Sequence, residues 1–172
     1  CIAGLRPEKN VARLLRVAHG LAATHRPGLV IAGDGPERGR LAALAAELGL
    51  AVKFLGDVAD PAPLYRSFDI FVLSSDTEQM PLSVLEAMAS GLPIAATDVG
   101  DIADMVAPEN RPFISGRDDA ALARSLGVLL AATPRWHAIG AANRARAERD
   151  FDQLMMFQRY GALFKGDRGR EE

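Results

Sequence analysis

The chain has 172 residues, 49% hydrophobic and 24% charged, with 20 basic against 22 acidic side chains and a formal net charge of -2. This composition fits one globular domain and excludes disorder, collagen and coiled coil. The near balance of charge excludes a general positive field for nucleic acid or an anionic membrane, and the single cysteine, Cys1, excludes an intramolecular disulfide.

No apolar run approaches the roughly 18 to 20 residues that span a bilayer, and the start lacks the three regions of a signal peptide. The cytoplasm is the expected compartment. Cys1-Ile2-Ala3 reads as the tail of a buried strand without a preceding turn, so the chain is expected to be a piece of a longer protein.

Apolar runs of strand length alternate with helical periodicity, which predicts βαβ units. The expected fold is α/β and Rossmann-like, a mainly parallel sheet with helices on both faces. Strands are expected at 2–3, 29–32, 52–55, 70–73 and 94–97. A helix capped by Asn10 carries Val11, Leu14, Leu15, Ala18, Leu21 and Ala22 on its apolar face, with Arg13 and Arg16 facing out. A second spans 36–48, opened by Pro36, stopped by Gly49 and striped with Leu41, Leu44, Ala45 and Leu48. A third starts near Pro81 and ends by Gly91-Leu92-Pro93, with Leu82, Leu85 and Ala89 turned inward. A turn and short helix follow over 99–106, then an edge strand at 112–114 and helices over 120–132, 134–149 and 153–164. One domain over 1–165 with a frayed tail at 166–172 is expected. The last helix carries Leu154, Met155, Met156, Phe157, Tyr160, Leu163 and Phe164 on more than one face, which predicts docking on a missing domain.

Open parallel sheets bind ligands beyond the carboxyl ends of their strands, which directs attention to loops 4–10, 33–37, 74–82 and 98–104. Arg6 and Lys9 precede a helix start and suit a phosphate or pyrophosphate; the alternative is a solvated loop with Lys9 paired to Glu8 or a surface acid. Gly33-Asp34-Gly35-Pro36 permits close approach to a ligand or simply a strand-to-helix turn. It lacks the third glycine of the dinucleotide fingerprint, and no P-loop exists in the chain. Glu78 and Glu86 are expected to border one crevice around the third helix start, where carboxylates accept hydrogen bonds from sugar hydroxyls. Alternatively they are a dipole-complementing acid and a solvated one. No residue set has metal-ligand spacing: His19, His25 and His137 stand apart, and Asp150-Phe151-Asp152 reads as a helix cap. Arg135, Arg144, Arg146 and Arg149 read as a solvated face or a contact with lipid phosphate.

Taken in series, these residues resemble the C-terminal, nucleotide-sugar-binding half of retaining glycosyltransferases of the GT-B fold, family 4. The likeness rests on Leu5 to Lys9, Ala32 to Pro36, Phe54 to Gly56, Ser75 to Glu78, Glu86 to Pro93 and Ala96 to Gly100. It implies that Lys9 contacts the diphosphate of a UDP- or GDP-linked sugar, Glu78 the transferred sugar near the reacting carbon, and Glu86 the ribose. Gly33, Gly35, Gln79, Met80, Pro81 and Leu82 would line the donor site, and no cofactor would be required. An N-terminal half would bind a saccharide or lipid-linked acceptor, peripheral at the inner face of the membrane. Two positions depart from the pattern. Gly4 stands where the family has arginine, so Arg6 or a cation from the missing half is expected to substitute. Gln79-Met80-Pro81 replaces Gly-Phe-Gly and removes one N–H donor. Other classes compatible with the residues are a nucleotide-sugar epimerase, a phosphorylase, and a non-catalytic binding or interaction module.

Overall fold

The computed structural model describes residues 1–164, apart from the side chain of Arg159; the tail expected at 166–172 lies outside the described residues. Strand β1 (Leu29–Ala32) pairs in parallel with β2 (Val52–Gly56), Leu29 facing Val52. Strand β3 (Phe71–Leu73) pairs in parallel with β4 (Ile94–Thr97), which pairs in parallel with β5 (Ile114–Ser115). The opening residues extend the first set: Ile2 bridges Ala32, and Cys1 and Ala3 exchange backbone hydrogen bonds with Val30 and Ala32. The expected edge strand at 112–114 begins only at Ile114, after a 3-10 turn over Arg111–Phe113. Pro112 explains the shift, having no N–H for a ladder and a φ suited to a turn.

Alternation of side chains shows that both faces of the strands are covered. Phe71, Leu73, Ile94 and Ala96 point into one apolar layer with Ile2, whereas Val72, Ala95, Cys1 and Ala3 point into the other. The period of two in an extended chain dictates this. The first layer is closed by Val84 and Met88 of α4 (Leu82–Ala89), Ile102 and Met105 of α5 (Ile102–Met105), and Ala147 of α7 (Trp136–Asp150). The second is closed by α1 (Val11–Leu21), α2 (Arg38–Glu47) and α6 (Asp119–Ala131) through Leu14, Leu15, Leu41, Leu122 and Leu126. A short α3 (Ala62–Tyr65), not expected from the sequence, and a terminal α8 (Gln153–Phe164) complete the chain.

Helix boundaries follow local chemistry. Asn10 adopts the left-handed conformation at φ 40 and its side-chain oxygen accepts from the Arg13 amide at 3.2 Å, capping α1. Pro36 lies in the turn before α2 rather than inside it, and Gly49, at φ 65, follows its end. Asp152 caps α8, its carboxylate accepting from the amides of Leu154 and Met155 at 2.9 and 3.1 Å.

Two expected orientations are wrong. Arg13 does not face out: it is only 7% exposed, because α1 is covered from Val11 through Leu15 by its neighbours. In α4 the buried face is Val84, Ala87 and Met88, while Leu82 is 71% exposed and Ala89 is also exposed. Leu82 is the first residue of the helix and lines a cavity instead of the core.

Helix α7 is fastened to the β4 side by a buried amide network. Asn143 donates to the Leu92 carbonyl and to Asn110 Oδ1 and accepts from the Ala107 amide, while Asn110 exchanges two hydrogen bonds with Ile94. Each polar atom is thereby satisfied away from water. The same helix meets the end of α4 at Gly140, where an added Cβ would lie 1.8 Å from the Gly91 carbonyl oxygen. Alanine in place of glycine inside a helix usually stabilises by roughly 1 kcal/mol. Here Gly140→Ala is expected to destabilise by at least about 2 kcal/mol, because the backbones must separate. Urea unfolding measures this, and a stabilised variant would show that the close approach is not required.

Candidate functional site

The loops that follow β3 and precede α1 meet beyond the carboxyl end of the strands. The amide of Asp76 donates to the Glu8 carbonyl at 2.8 Å, and the Asp76 carboxylate accepts from Asn10 Nδ2 at 3.0 Å. Arg13 joins the same carboxylate at 2.8 Å through one terminal nitrogen and donates to the Ser74 carbonyl at 2.9 Å through the other. Its Nε stands 3.4 Å from Asp119 without a hydrogen bond. Ser74 Oγ in turn donates to the carbonyls of Asn10 and Lys9. Thr97, at the end of β4, donates from its hydroxyl to the Ser75 carbonyl at 2.6 Å. The two loops are fastened residue by residue.

This fastening places Lys9 against Glu78. The ammonium donates to both carboxylate oxygens at 2.8 Å, and Ser75 Oγ donates to one of them at 2.7 Å. The Glu78 side chain is 8% exposed and that of Lys9 26%. Charge-assisted bonds of this kind, partly shielded from water, are the stronger class of hydrogen bond. Both groups open into a cavity of about 600 Å³ that Gly4, Gly33, Pro81 and Leu82 also line. At its edge Pro81, which has no N–H, caps the start of α4, and the amides of Leu82 and Ser83 have no acceptor among the described residues. An ammonium, two open amides and a carboxylate around one cavity can bind an anion and a hydroxylated group side by side.

Several sequence-based site residues stand elsewhere. Arg6 lines a separate cavity of about 310 Å³ with Asn10, Arg16, Glu37 and Arg40, and not the larger one. Gly35 does not line the larger cavity; an added Cβ would lie 2.5 Å from the Leu5 carbonyl oxygen, so its bareness serves backbone packing. Gly33 does both, with its Cβ position 2.0 Å from the Ala3 oxygen. Gln79 and Met80 lie outside the lining; the Gln79 carbonyl accepts from the Asp101 amide at 2.9 Å, and Met80 is exposed. Gly100, at φ 57, allows that approach, since a Cβ there would lie 2.2 Å from the Gln79 oxygen. Glu86 also lies outside the lining, so the cavity does not bring it together with Glu78; it is exposed one turn beyond Leu82 and Ser83 and accepts from the Tyr65 hydroxyl at 2.8 Å.

Sequence reasoning missed Asp57, Val58 and Pro61, which line the cavity from the loop after β2, and Ser83 from α4. The Gly56 turn after a strand was a signal that the loop reaches the same edge. Among the described residues no group of three or more His, Cys, Asp or Glu could hold a metal ion, and no helix is long and apolar enough to cross a membrane.

The profile of the family Glycosyl transferases group 1 matches residues 1–132. The chain belongs to this family. All the cavity residues named above fall within the matched part of this group 1 glycosyl transferase chain. A GDP-mannose-dependent alpha-mannosyltransferase of Mycobacterium tuberculosis is 40% identical over 105 residues, covering 60% of this chain and 26% of the relative. A GDP-mannose-dependent monoacylated alpha-(1-6)-phosphatidylinositol monomannoside mannosyltransferase of Corynebacterium glutamicum is 30% identical over 177 residues, 97% of this chain and 46% of the relative. The chain thus spans between about a quarter and a half of the length of these relatives. The structure of Anabaena Alr3699/HepE in complex with UDP superposes with a TM-score of 0.87 at 23% identity, over 96% of this chain and 47% of that one. The fold is therefore the Rossmann-like fold of GT-B glycosyltransferases.

The bracing by Arg13 is open to test. Arg13→Met keeps the apolar stem and removes the bonds to Ser74 and Asp76. It is expected to destabilise by about 1–3 kcal/mol, the scale of lost charge-assisted bonds to a half-exposed partner and an orphaned carbonyl. A unfolding free energy within about 0.5 kcal/mol of the parent, the range of ordinary surface changes, would exclude that role.

Proposed function

We propose that this chain is the donor-binding half of a retaining glycosyltransferase that moves a sugar from a UDP- or GDP-linked donor to an acceptor hydroxyl, in polysaccharide or glycolipid synthesis. The observation that carries the reading is the Lys9–Glu78 pair at the mouth of a cavity beside the open amides of α4. Lys9 and the Leu82 and Ser83 amides hold the diphosphate and stabilise it as it leaves, where an oxocarbenium-like transition state places the developing negative charge. Glu78 accepts hydrogen bonds from the transferred sugar, and Glu86 from the ribose. With both Glu78 oxygens already accepting from Lys9 and one from Ser75, the carboxylate is better suited to holding hydroxyls and balancing positive charge than to covalent attack. Neither a metal nor a cofactor enters this reading.

The mannosyltransferase relatives are named as GDP-mannose-dependent, which supports a GDP-linked donor first and a UDP-linked one second. The acceptor, saccharide or lipid-linked, belongs to an N-terminal half. Helix α8, which exposes Leu154, Phe157, Leu163 and Phe164, is suited to docking on that half at the inner face of a membrane. A non-catalytic binding module is the second reading, favoured by Gly4 in place of arginine and by Pro81, whose missing N–H removes a phosphate donor.

Calorimetric titration with GDP, UDP, ADP and their sugar conjugates, with and without magnesium, tests the reading. One diphosphate is expected to bind without metal. Lys9→Ala should weaken it by about 1.5–3 kcal/mol, the scale of a charge-assisted hydrogen bond. Glu78→Ala should leave the bare diphosphate bound at least as tightly, because a competitor for Lys9 is gone, while losing affinity contributed by the sugar. No binding by the folded protein, or equal weakening by both variants, would reject the division of roles. Binding without sugar transfer by the full-length protein would favour the non-catalytic module.

A further inference from the structure

The phenol of Tyr65 is a buried polar group, bonded to Glu86, that the reading above leaves unused. Its side chain is 1% exposed, packed edge-on against Phe68 with ring centroids 6.4 Å apart and tilted against Phe71 at 5.7 Å. Only the hydroxyl leaves this aromatic nest, and it donates to Glu86 Oε2 at 2.8 Å. Tyr65 closes α3, whose preceding residue Pro61 lines the cavity and accepts from the Tyr65 amide at 3.0 Å. Glu86 lies one turn along α4 from Leu82 and Ser83, which also line the cavity. The bond therefore ties α3 to α4 one turn away from the residues by which each reaches the cavity.

We infer that Tyr65 is a positioning residue for the donor's ribose: its buried phenol holds one oxygen of the exposed Glu86 and leaves the other free to accept from the ribose hydroxyls. The inference rests on the assignment of Glu86 to the ribose. A free, exposed glutamate surrenders side-chain entropy of roughly 1.5–2 kcal/mol when a ligand immobilises it. A carboxylate already held by a rigid ring has surrendered much of that on folding, so the ligand contact is stronger. Burial and the neighbouring carboxylate both push the Tyr65 phenol above its ordinary pKa, so it remains a donor at neutral pH. A merely structural phenol would need an acceptor for its buried hydroxyl but would have no bearing on which nucleotide binds.

The experiment compares GDP with 2′,3′-dideoxy-GDP, and UDP with 2′,3′-dideoxy-UDP, by calorimetry on the wild type, Tyr65→Phe, Glu86→Ala and the double variant. The wild type is expected to prefer the ribonucleotide. Tyr65→Phe should cut that preference about fivefold, the scale of one hydrogen bond, with the affinity for the dideoxy form unchanged. Adding Tyr65→Phe to Glu86→Ala should change the preference no further. Should Glu86→Ala abolish the preference while Tyr65→Phe keeps it, the inference is overturned and the ribose assignment stands. Should Glu86→Ala leave the preference intact, the assignment fails and takes the inference with it. A Tyr65→Phe protein that does not fold also overturns it, because the hydroxyl then serves the core.

Discussion

The candidate site depends on Asp76. Its amide and carboxylate fasten the loop after β3 to the loop before α1, taking in the Glu8 carbonyl, the Asn10 amide and the Arg13 guanidinium. Together with the Ser74 hydroxyl, which donates to the carbonyls of Lys9 and Asn10, that junction holds Lys9 within 2.8 Å of Glu78. A guanidinium suits the task because its planar fork can serve the Asp76 carboxylate and the Ser74 carbonyl at once. Burial then matters as much as charge, since the cost of leaving Arg13 unpaired inside α1's covered face keeps the junction closed.

Much of the fold was legible because its signals are local. Asn10, Gly49, Gly91 and Asp152 mark helix ends by backbone or capping chemistry, and the strands of the core show themselves as short apolar runs. Alternation even sorts Val72 from Phe71 and Leu73 by face once the strand is recognised. What escaped is whatever depends on a distant partner. Arg13 was assigned to solvent because a cation on an amphipathic helix usually lies there, and its acceptors are about sixty residues away in the chain. Leu82 was assigned to the core by periodicity, but it stands at the helix start, exposed and in the cavity lining. The short α3 contains two prolines in its opening, Pro61 and Pro63, and reads in sequence as a loop.

The glycines were the hardest to read, since one residue type answers several needs. Gly33, Gly35 and Gly100 all look like places for a ligand to approach. In the structure their missing Cβ atoms make room for the carbonyls of Ala3, Leu5 and Gln79. Those contacts shape the cavity from behind rather than touching what it would hold, with Gly33 alone also at its surface. Gly4 and Pro81 also line the cavity but bring to it neither a side-chain cation nor, at Pro81, an N–H, so Lys9 is the cation of the lining among the described residues.

Lys9 and Glu78 follow different strand sets. Lys9 follows the segment bridged to β1, and Glu78 follows β3, and among the described residues no ladder joins the two sets. A ligand that bridges them would add a crosslink to their shared apolar layer and to the loop bonds of Asp76, Ser74 and Arg13. Amide hydrogens in both strand sets would then exchange more slowly together on binding, since partial opening of either set would first have to release the ligand.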